Sequence, residues 1–382
     1  MIRIIVAPDS FKESLSAREA AMCISEGIKR ILPSAEIVQV PMSDGGEGLI
    51  DCLTTGRDGH VISEEVTGPM GNTVNAKLLI IGNNEKAIIE MAEASGLALV
   101  PAENRNPLIT TSFGTGELMK RALEEGCRQL IVGRGGSATN DGGAGMAQAL
   151  GIRLLNSQQR EIGRGAQGLL DLDSIDMSGA HPRLHDTEIL VACDVRNPLY
   201  GATGASYVYG PQKGARPEIL PLLDQALVRL AETVERDLKL NVHDLPGGGA
   251  AGGLGAGLFA FTGGHLRTGI ELVLEILNFE GILNMGADLL ITGEGEINAQ
   301  TIYGKAPLGV ARLAKKYGIP VLALVGSIGP GSDDLYGSGI DAIMSIVPGP
   351  VGLGEAMARA GEMVREASSR AMRMLFLFAS RE

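Results

Sequence analysis

Both ends of this chain follow one pattern: a short apolar run, an abrupt stop at glycine or aspartate, then a stretch with helical spacing. Near the start, residues 2–7 read as a buried strand and residues 16–31 as a helix. Ser16 is its cap, and Glu19 three positions on completes a capping box. EIVQV at 36–40 is the next strand, and the loop PMSDGGEG that ends it predicts a helix beginning near Glu47. Towards the end, ADLLITG (287–293), PVLALVG (320–326) and DAIMSIV (341–347) are strands, with a crossover helix after Pro307 and a helix over 352–376. Strands alternating with helices predict a parallel sheet covered by helices.

The middle of the chain reads differently. VISEEV (61–66), TVNAKLLI (73–80) and KAIIEM (86–91) are strand-like with short links, TGPMG at 67–71 is a turn, and mixed or antiparallel pairing follows. A helix at 114–126 leads to strand 129–133 and a helix over 141–150. Residues 156–187 are turn-rich, 187–193 is a strand, 217–236 an amphipathic helix, and 246–257 a glycine-rich interruption. The expected architecture is therefore α/β. A Rossmann-like parallel-sheet domain is formed by both chain ends (1–66 plus 287–382), with an inserted second α/β domain over 67–286.

Composition narrows what such a chain does. It is 382 residues long with 3% aromatics and no Trp, so its core is packed with Leu, Ile, Val, Ala and Met. Glycine is in excess, 54 residues, and clusters without a period, which excludes collagen and points to backbone turned tightly around a ligand. A net charge of −12 argues against a nucleic-acid surface. Cys23, Cys52, Cys127 and Cys193 lack metal or redox spacing and read as free thiols. The five histidines are scattered, no G-x-S-x-G elbow is present, and no leader or membrane-length apolar run is seen. The expectation is a soluble cytoplasmic protein.

Five loops directly follow strands, where open parallel sheets place their ligands. In APDSFKESLS (7–16), Asp9 and Lys12 are candidates to bind a substrate; a turn residue and a solvated lysine are the alternatives. In PMSDGGEG (41–48), Asp44 could hold a metal, take a proton from an alcohol, or simply cap a helix. GRGGSATNDGGAG (133–145) is the strongest feature. Strand, glycine turn and helix suit a phosphate cradle built from Gly135, Gly136, Ser137, Thr139, Asn140 and Asp141, though the spacing is neither dinucleotide-binding nor Walker. Arg134 would contact phosphate or stand exposed. In the segment from 192 to 214, Asp194 ends a strand and Lys213 lies near glycines as a phosphate contact or a surface lysine. In TGEGEINAQTIYGKAPLGVA (292–311), Glu294 sits between glycines, and Gln300, Thr301 and Lys305 could reach a small acid. The glycine loop 247–257 would line adenine or permit close packing. Carboxylates for Mg²⁺, lysines and amide-rich loops together suit phosphoryl transfer.

IVAPDSFKESLSA, DGGEG, TGPMG, IIEMAEASGLALV, NPLITTSFGTGEL, GGSATNDGGAGM, VACDVRNPLYG, GPQKGA, PGGGAAGGLGA and ITGEGEINAQTIYGKAPLGVA occur in one order across nearly the whole chain. In this the chain resembles the bacterial glycerate kinase family. The resemblance implies ATP and Mg²⁺, with D-glycerate converted to 2-phosphoglycerate. The alternatives are the 3-phosphate product, another small hydroxy acid, or a catalytically impaired glycerate binder. It implies catalytic roles for Asp194, Asp44, Lys12 and Lys305, with Asp194 also the metal ligand. Gly135, Gly136, Ser137, Thr139, Asn140, Asp141, Lys213 and Glu294 would bind the nucleotide, and Asp9, Lys12, Asp44, Gln300 and Thr301 the substrate. A monomer or homodimer, with no nucleic-acid or membrane partner, is expected. The chain departs from the family at GEGEIN (293–298), where GEGRID is usual, so that Glu296 and Asn298 stand for Arg and Asp.

Overall fold

The computed structural model describes residues 1–46, 48–54, 59–299, 301 and 305–379, with side chains to 375. The strands in chain order are β1 (Arg3–Val6), β2 (Glu36–Gln39), β3 (Gly59–Thr67), β4 (Thr73–Ile81), β5 (Lys86–Glu90), β6 (Gln129–Gly133), β7 (Arg153–Leu155), β8 (Ser174–Asp176), β9 (Glu188–Ala192), β10 (His265–Arg267), β11 (Leu289–Ile297), β12 (Val321–Ile328) and β13 (Ala342–Ser345). Packing divides the chain into two compact units. One is Met1–Asp44, Asp51–Thr55 and Gly269–Glu382; the other is Gly45–Ile50 and Gly56–Thr268.

The first unit is a five-stranded, wholly parallel sheet in the order β13-β12-β11-β1-β2. Counting only its own strands along the chain, the order is 2-1-3-4-5, a doubly wound pattern. Its direction of winding reverses between β1 and β11, the position at which such sheets bind ligands beyond their carboxyl ends. The helix Ala17–Ile31 forms as its sequence predicts. The Ser16 side chain accepts from the Glu19 amide while the Glu19 side chain takes the Ser16 amide. Ala20, Ala21, Ile24 and Ile28 recur at helical spacing and are fully buried; each large aliphatic side chain removed from water contributes about 2 kcal/mol. The helix packs on the C-terminal helix Ala360–Ala379 with Ile24, Ile28, Met363, Val364 and Ala367 in one core. The stretch expected as one helix over 352–376 is two, Leu353–Ala358 and Ala360–Ala379.

The second unit is built on a six-stranded mixed sheet, β10-β9-β6-β5-β4-β3. β3, β4 and β5 are antiparallel neighbours, while β5, β6, β9 and β10 run parallel. Its own core of Leu, Ile, Val, Ala and Met includes Leu118, Leu130, Val132, Met146 and Leu227. The turn-rich stretch after 152 holds a small antiparallel ladder, β7 with β8. β10 is a strand the sequence does not announce, since three residues are too few to show a period.

The division read from the sequence at 66/67 and 286/287 differs from the packed units. β3 pairs with β4 along its whole length, from Gly59↔Ile81 to Thr67↔Thr73, so it belongs to the second sheet. Gly269–Ile276 packs on the helix Ala306–Lys316, where Gly309 leaves room for Ile270, so this stretch belongs to the first unit.

Candidate active site

In the first unit, the loops at the sheet's switch point carry carboxylates and lysines. Asp9 lies just past β1. Its amide donates to Gly293 O of β11 (2.8 Å), which fixes the loop, and its Oδ1 accepts from the Ser10 amide (2.6 Å). Burial pushes the Asp9 carboxyl up to about 7. The negative charges of Asp44 and Glu294 add to this, while the Ser10 amide and Lys12 oppose it. A carboxyl balanced near neutrality is what a base for an alcohol requires. Lys12 is solvent-exposed, and Asp44 is half-buried after β2.

Glu294, on β11, is buried and held on both oxygens: Lys305 Nζ donates to Oε2 (2.8 Å) and Thr301 Oγ1 to Oε1 (3.0 Å). Burial raises its pKa, and the Lys305 and Thr301 hydrogen bonds work against that shift. Glu294 therefore anchors Lys305, whose side chain remains 29% exposed at the N-cap of the helix Ala306–Lys316, with Pro307 in that helix's first turn. Gln300 lies outside the described residues.

In the second unit, the loop after β6 is more deeply embedded than its composition suggests. Arg134 is neither exposed nor free for phosphate. It is buried, with Nε donating to Ala192 O (2.9 Å) and Nη1 to Gly247 O (3.1 Å), so it ties the end of β6 to the end of β9 and to the glycine loop. Burial lowers its pKa, and Cys193, Asp194 and Tyr209 oppose the shift. Asp141 is fully buried. Its Oδ2 accepts from the Ser112 amide (2.8 Å), Ser112 Oγ (2.9 Å) and the Gly145 amide (3.3 Å), and its Oδ1 from the Gly143 amide (3.2 Å). Burial raises its pKa and those donors lower it, so it fastens the start of the helix Ala144–Ala149. Lys213 is also sealed in, with Nζ on Thr139 O (2.7 Å), and is no surface lysine. Burial pushes its pKa down to about 7, against the attraction of Asp141.

What remains open to a ligand in this loop is its middle. Gly135 and Gly136 are half-exposed, and Ser137 lies in a bridge with Gly96. Thr139 and Asn140 are fully buried, yet Thr139 Oγ1 and Asn140 Oδ1 have no hydrogen-bond partner; Asn140 Nδ2 donates to Ser206 Oγ (3.0 Å). The loop 247–257 serves close packing: a Cβ at Gly252 or Gly257 would collide with the backbone of Thr139 or Gly142. Asp194, half-buried, follows β9.

Two participants escape the sequence reading. Ser112 looks like the cap of the helix Phe113–Glu124 but makes no such cap, giving its hydroxyl to Asp141 and accepting from the Met146 amide (3.0 Å). Glu90, the last residue of β5, is buried and accepts from the amides of Gly48 (3.0 Å) and Ile50 (2.7 Å) at the first turn of the helix Leu49–Thr54. Only tertiary contact reveals either role. Among the described residues, no three His, Cys, Asp or Glu side chains group to hold a metal ion. A divalent cation here would take one or two protein oxygens and complete its shell with phosphate and water, the usual Mg²⁺ arrangement in nucleotide enzymes.

In one unit a doubly wound sheet carries a near-neutral carboxyl and two lysines at its switch point, and in the other a glycine loop carries unpartnered polar groups; each is a feature suited to an α/β phosphotransferase without a Walker loop. The chain belongs to the glycerate kinase family, whose profile matches residues 4–376. It is 51% identical to a glycerate kinase of Bacillus subtilis, covering 94% of each chain. It is 49% identical to the glycerate 2-kinase of Escherichia coli K12, covering 96% of each. A crystal structure from Salmonella typhimurium LT2, described as a candidate glycerate kinase 2, superposes with a TM-score of 0.89 at 49% identity over 99% of each chain. In the GEGEIN segment, Asn298 Nδ2 donates to Glu296 Oε1 (2.9 Å), so the two departing residues pair with each other.

Proposed function

We propose that this protein transfers the γ-phosphoryl group of ATP to the C2 hydroxyl of D-glycerate, giving 2-phosphoglycerate. Kinase activity towards glycerate follows from membership of the family; position 2 is supported by the likeness to the E. coli 2-kinase. The observation that carries the chemistry is the Asp9 carboxyl, held near neutrality at the switch point of the sheet. Asp9 takes the hydroxyl proton as the alcohol attacks. Asp44 helps to seat the acid, Lys12 and Lys305 attract its carboxylate, and Thr301, expected at the substrate, is fully buried and supports Glu294 from behind. Glu294 keeps Lys305 in place and does not itself touch nucleotide. Asp9, expected to bind substrate, thus acts as the base.

The loop 133–145 takes the ATP phosphates. Asp194, at the end of β9, is a ligand for Mg²⁺, which offsets phosphate charge when bound. Among the described residues no helix is long and apolar enough to cross a membrane. Free thiols and a need for ATP support a cytoplasmic location.

Product analysis tests the reading. D-glycerate, ATP and Mg²⁺ are incubated with the enzyme and the product is examined by NMR. 2-Phosphoglycerate is expected. 3-Phosphoglycerate would move the reaction to the other hydroxyl, and no phosphorylated acid at all would sink the assignment.

A further inference from the structure

Lys213 was expected at a phosphate, but it is 1% exposed and its Nζ is spent on the Thr139 carbonyl (2.7 Å). A lysine that donates to a carbonyl behind a loop orients that loop. The carbonyl of Thr139 is fixed by Lys213, while other polar groups of the same stretch are left without protein partners. Among the described residues, the amides of Thr139, Asn140 and Asp141 have no acceptor. Thr139 Oγ1 and Asn140 Oδ1 are buried and unpartnered as well. Buried N–H and O–H groups are almost always satisfied by protein, water or a ligand. Here that means three consecutive amide donors and a hydroxyl, with one neutral oxygen acceptor beside them.

Donors in this number suit the oxygens of a polyphosphate, and a lone amide oxygen suits the divalent cation that accompanies it. A small hydroxy acid would use fewer of them. Two charged residues of the loop are already committed. Asp141 is saturated by four donors, and Arg134 is bound to two carbonyls. We infer that Thr139–Asp141 is the cradle for the phosphates of a metal–nucleotide complex, and that Lys213 is a positioning residue that sets this cradle from inside without touching the nucleotide. This rests on the kinase reading above and assigns its nucleotide subsite.

The test is direct binding of MgADP by calorimetry, without glycerate, on wild type, Lys213→Met, Thr139→Val and Thr139→Ser. Lys213→Met removes the donor at nearly constant volume. It should weaken MgADP binding by about 10-fold or more, raise KM for ATP similarly and leave KM for glycerate within about 2-fold. Its melting temperature without nucleotide should hold, since a buried ammonium is lost along with its hydrogen bond. Thr139→Val should weaken MgADP several-fold and Thr139→Ser should restore it. Lys213→Met that binds MgADP like wild type, or that shifts KM for glycerate alone, overturns the inference. If that variant does not fold, the Thr139 pair decides: a Thr139→Val protein with unchanged MgADP affinity is equally fatal. A wild type that binds MgADP yet does not phosphorylate D-glycerate would remove the substrate assignment and leave the cradle standing.

Discussion

At the scale of single residues, Asp9 carries the sharpest consequence. Its carboxyl ionises near pH 7 where an ordinary aspartate does so near 3.8. As a base it works only when ionised, so kcat/KM should rise through about pH 7 and then level. Asp9→Asn should remove nearly all turnover. Asp44→Asn removes the negative charge that ranks next to burial in raising Asp9, so the rise should move to lower pH. An unmoved profile would detach the two carboxylates. Stability should change in the opposite sense. Between 3.8 and about 7 the folded protein holds a proton that the unfolded chain releases, so stability falls as pH rises through that window and the full cost is present above it. Asp9→Asn should therefore raise the melting temperature more at pH 8 than at pH 5. Asp194→Ala should cut kcat by about 100-fold or more if Asp194 acts during transfer. Wild-type kcat with the fold intact would exclude it.

At the scale of elements, the helix Ala17–Ile31 shows how local and tertiary rules compete. Its cap and apolar stripe are readable from sequence, and both form. Gly27 is not readable in the same way. On an open helix Gly→Ala gains about 1 kcal/mol. Here a Cβ would strike Arg365 O and stand 2.7 Å from Ser368 Cβ of the C-terminal helix. Gly27→Ala should thus destabilise, by about 1–3 kcal/mol. Chemical denaturation reads the sign directly, and a stabilised variant would show that the two helices do not pack this closely. The glycine loop 247–257 follows the same logic, its missing side chains allowing backbone to lie against backbone at Thr139 and Gly142.

At the scale of the whole molecule, each unit has its own sheet and its own core. The second unit lies within one continuous stretch. A fragment spanning 45–268 should fold alone and melt cooperatively, because it keeps the six-stranded sheet and the Gly48 and Ile50 amides that donate to Glu90. Near-ultraviolet circular dichroism and a thermal scan measure this, and a non-cooperative, molten fragment would contradict it. The same organisation explains why the limits of the insertion are not legible in the sequence. β3 alternates like any half-buried strand, and only its partner β4 assigns it to a sheet. β10 has too few residues to show any period.

The sequence by itself determined the α/β class, the strands of both chain ends, the capping box at Ser16 and the loops where chemistry is placed, because periodicity, caps and glycine turns are local physics. The tertiary structure alone decided which protein groups the polar residues in those loops contact and how deeply they are buried. Asp141 and Glu294 read as ligand contacts, Arg134 as a phosphate contact or an exposed residue and Lys213 as a phosphate contact or a surface lysine, and all four are anchored to protein. Asp9 read as an ordinary turn or binding carboxylate, and its neighbours make it a candidate base. The reason is that burial and partner charges set both the availability and the pKa of such groups, and neither is written in residues adjacent along the chain.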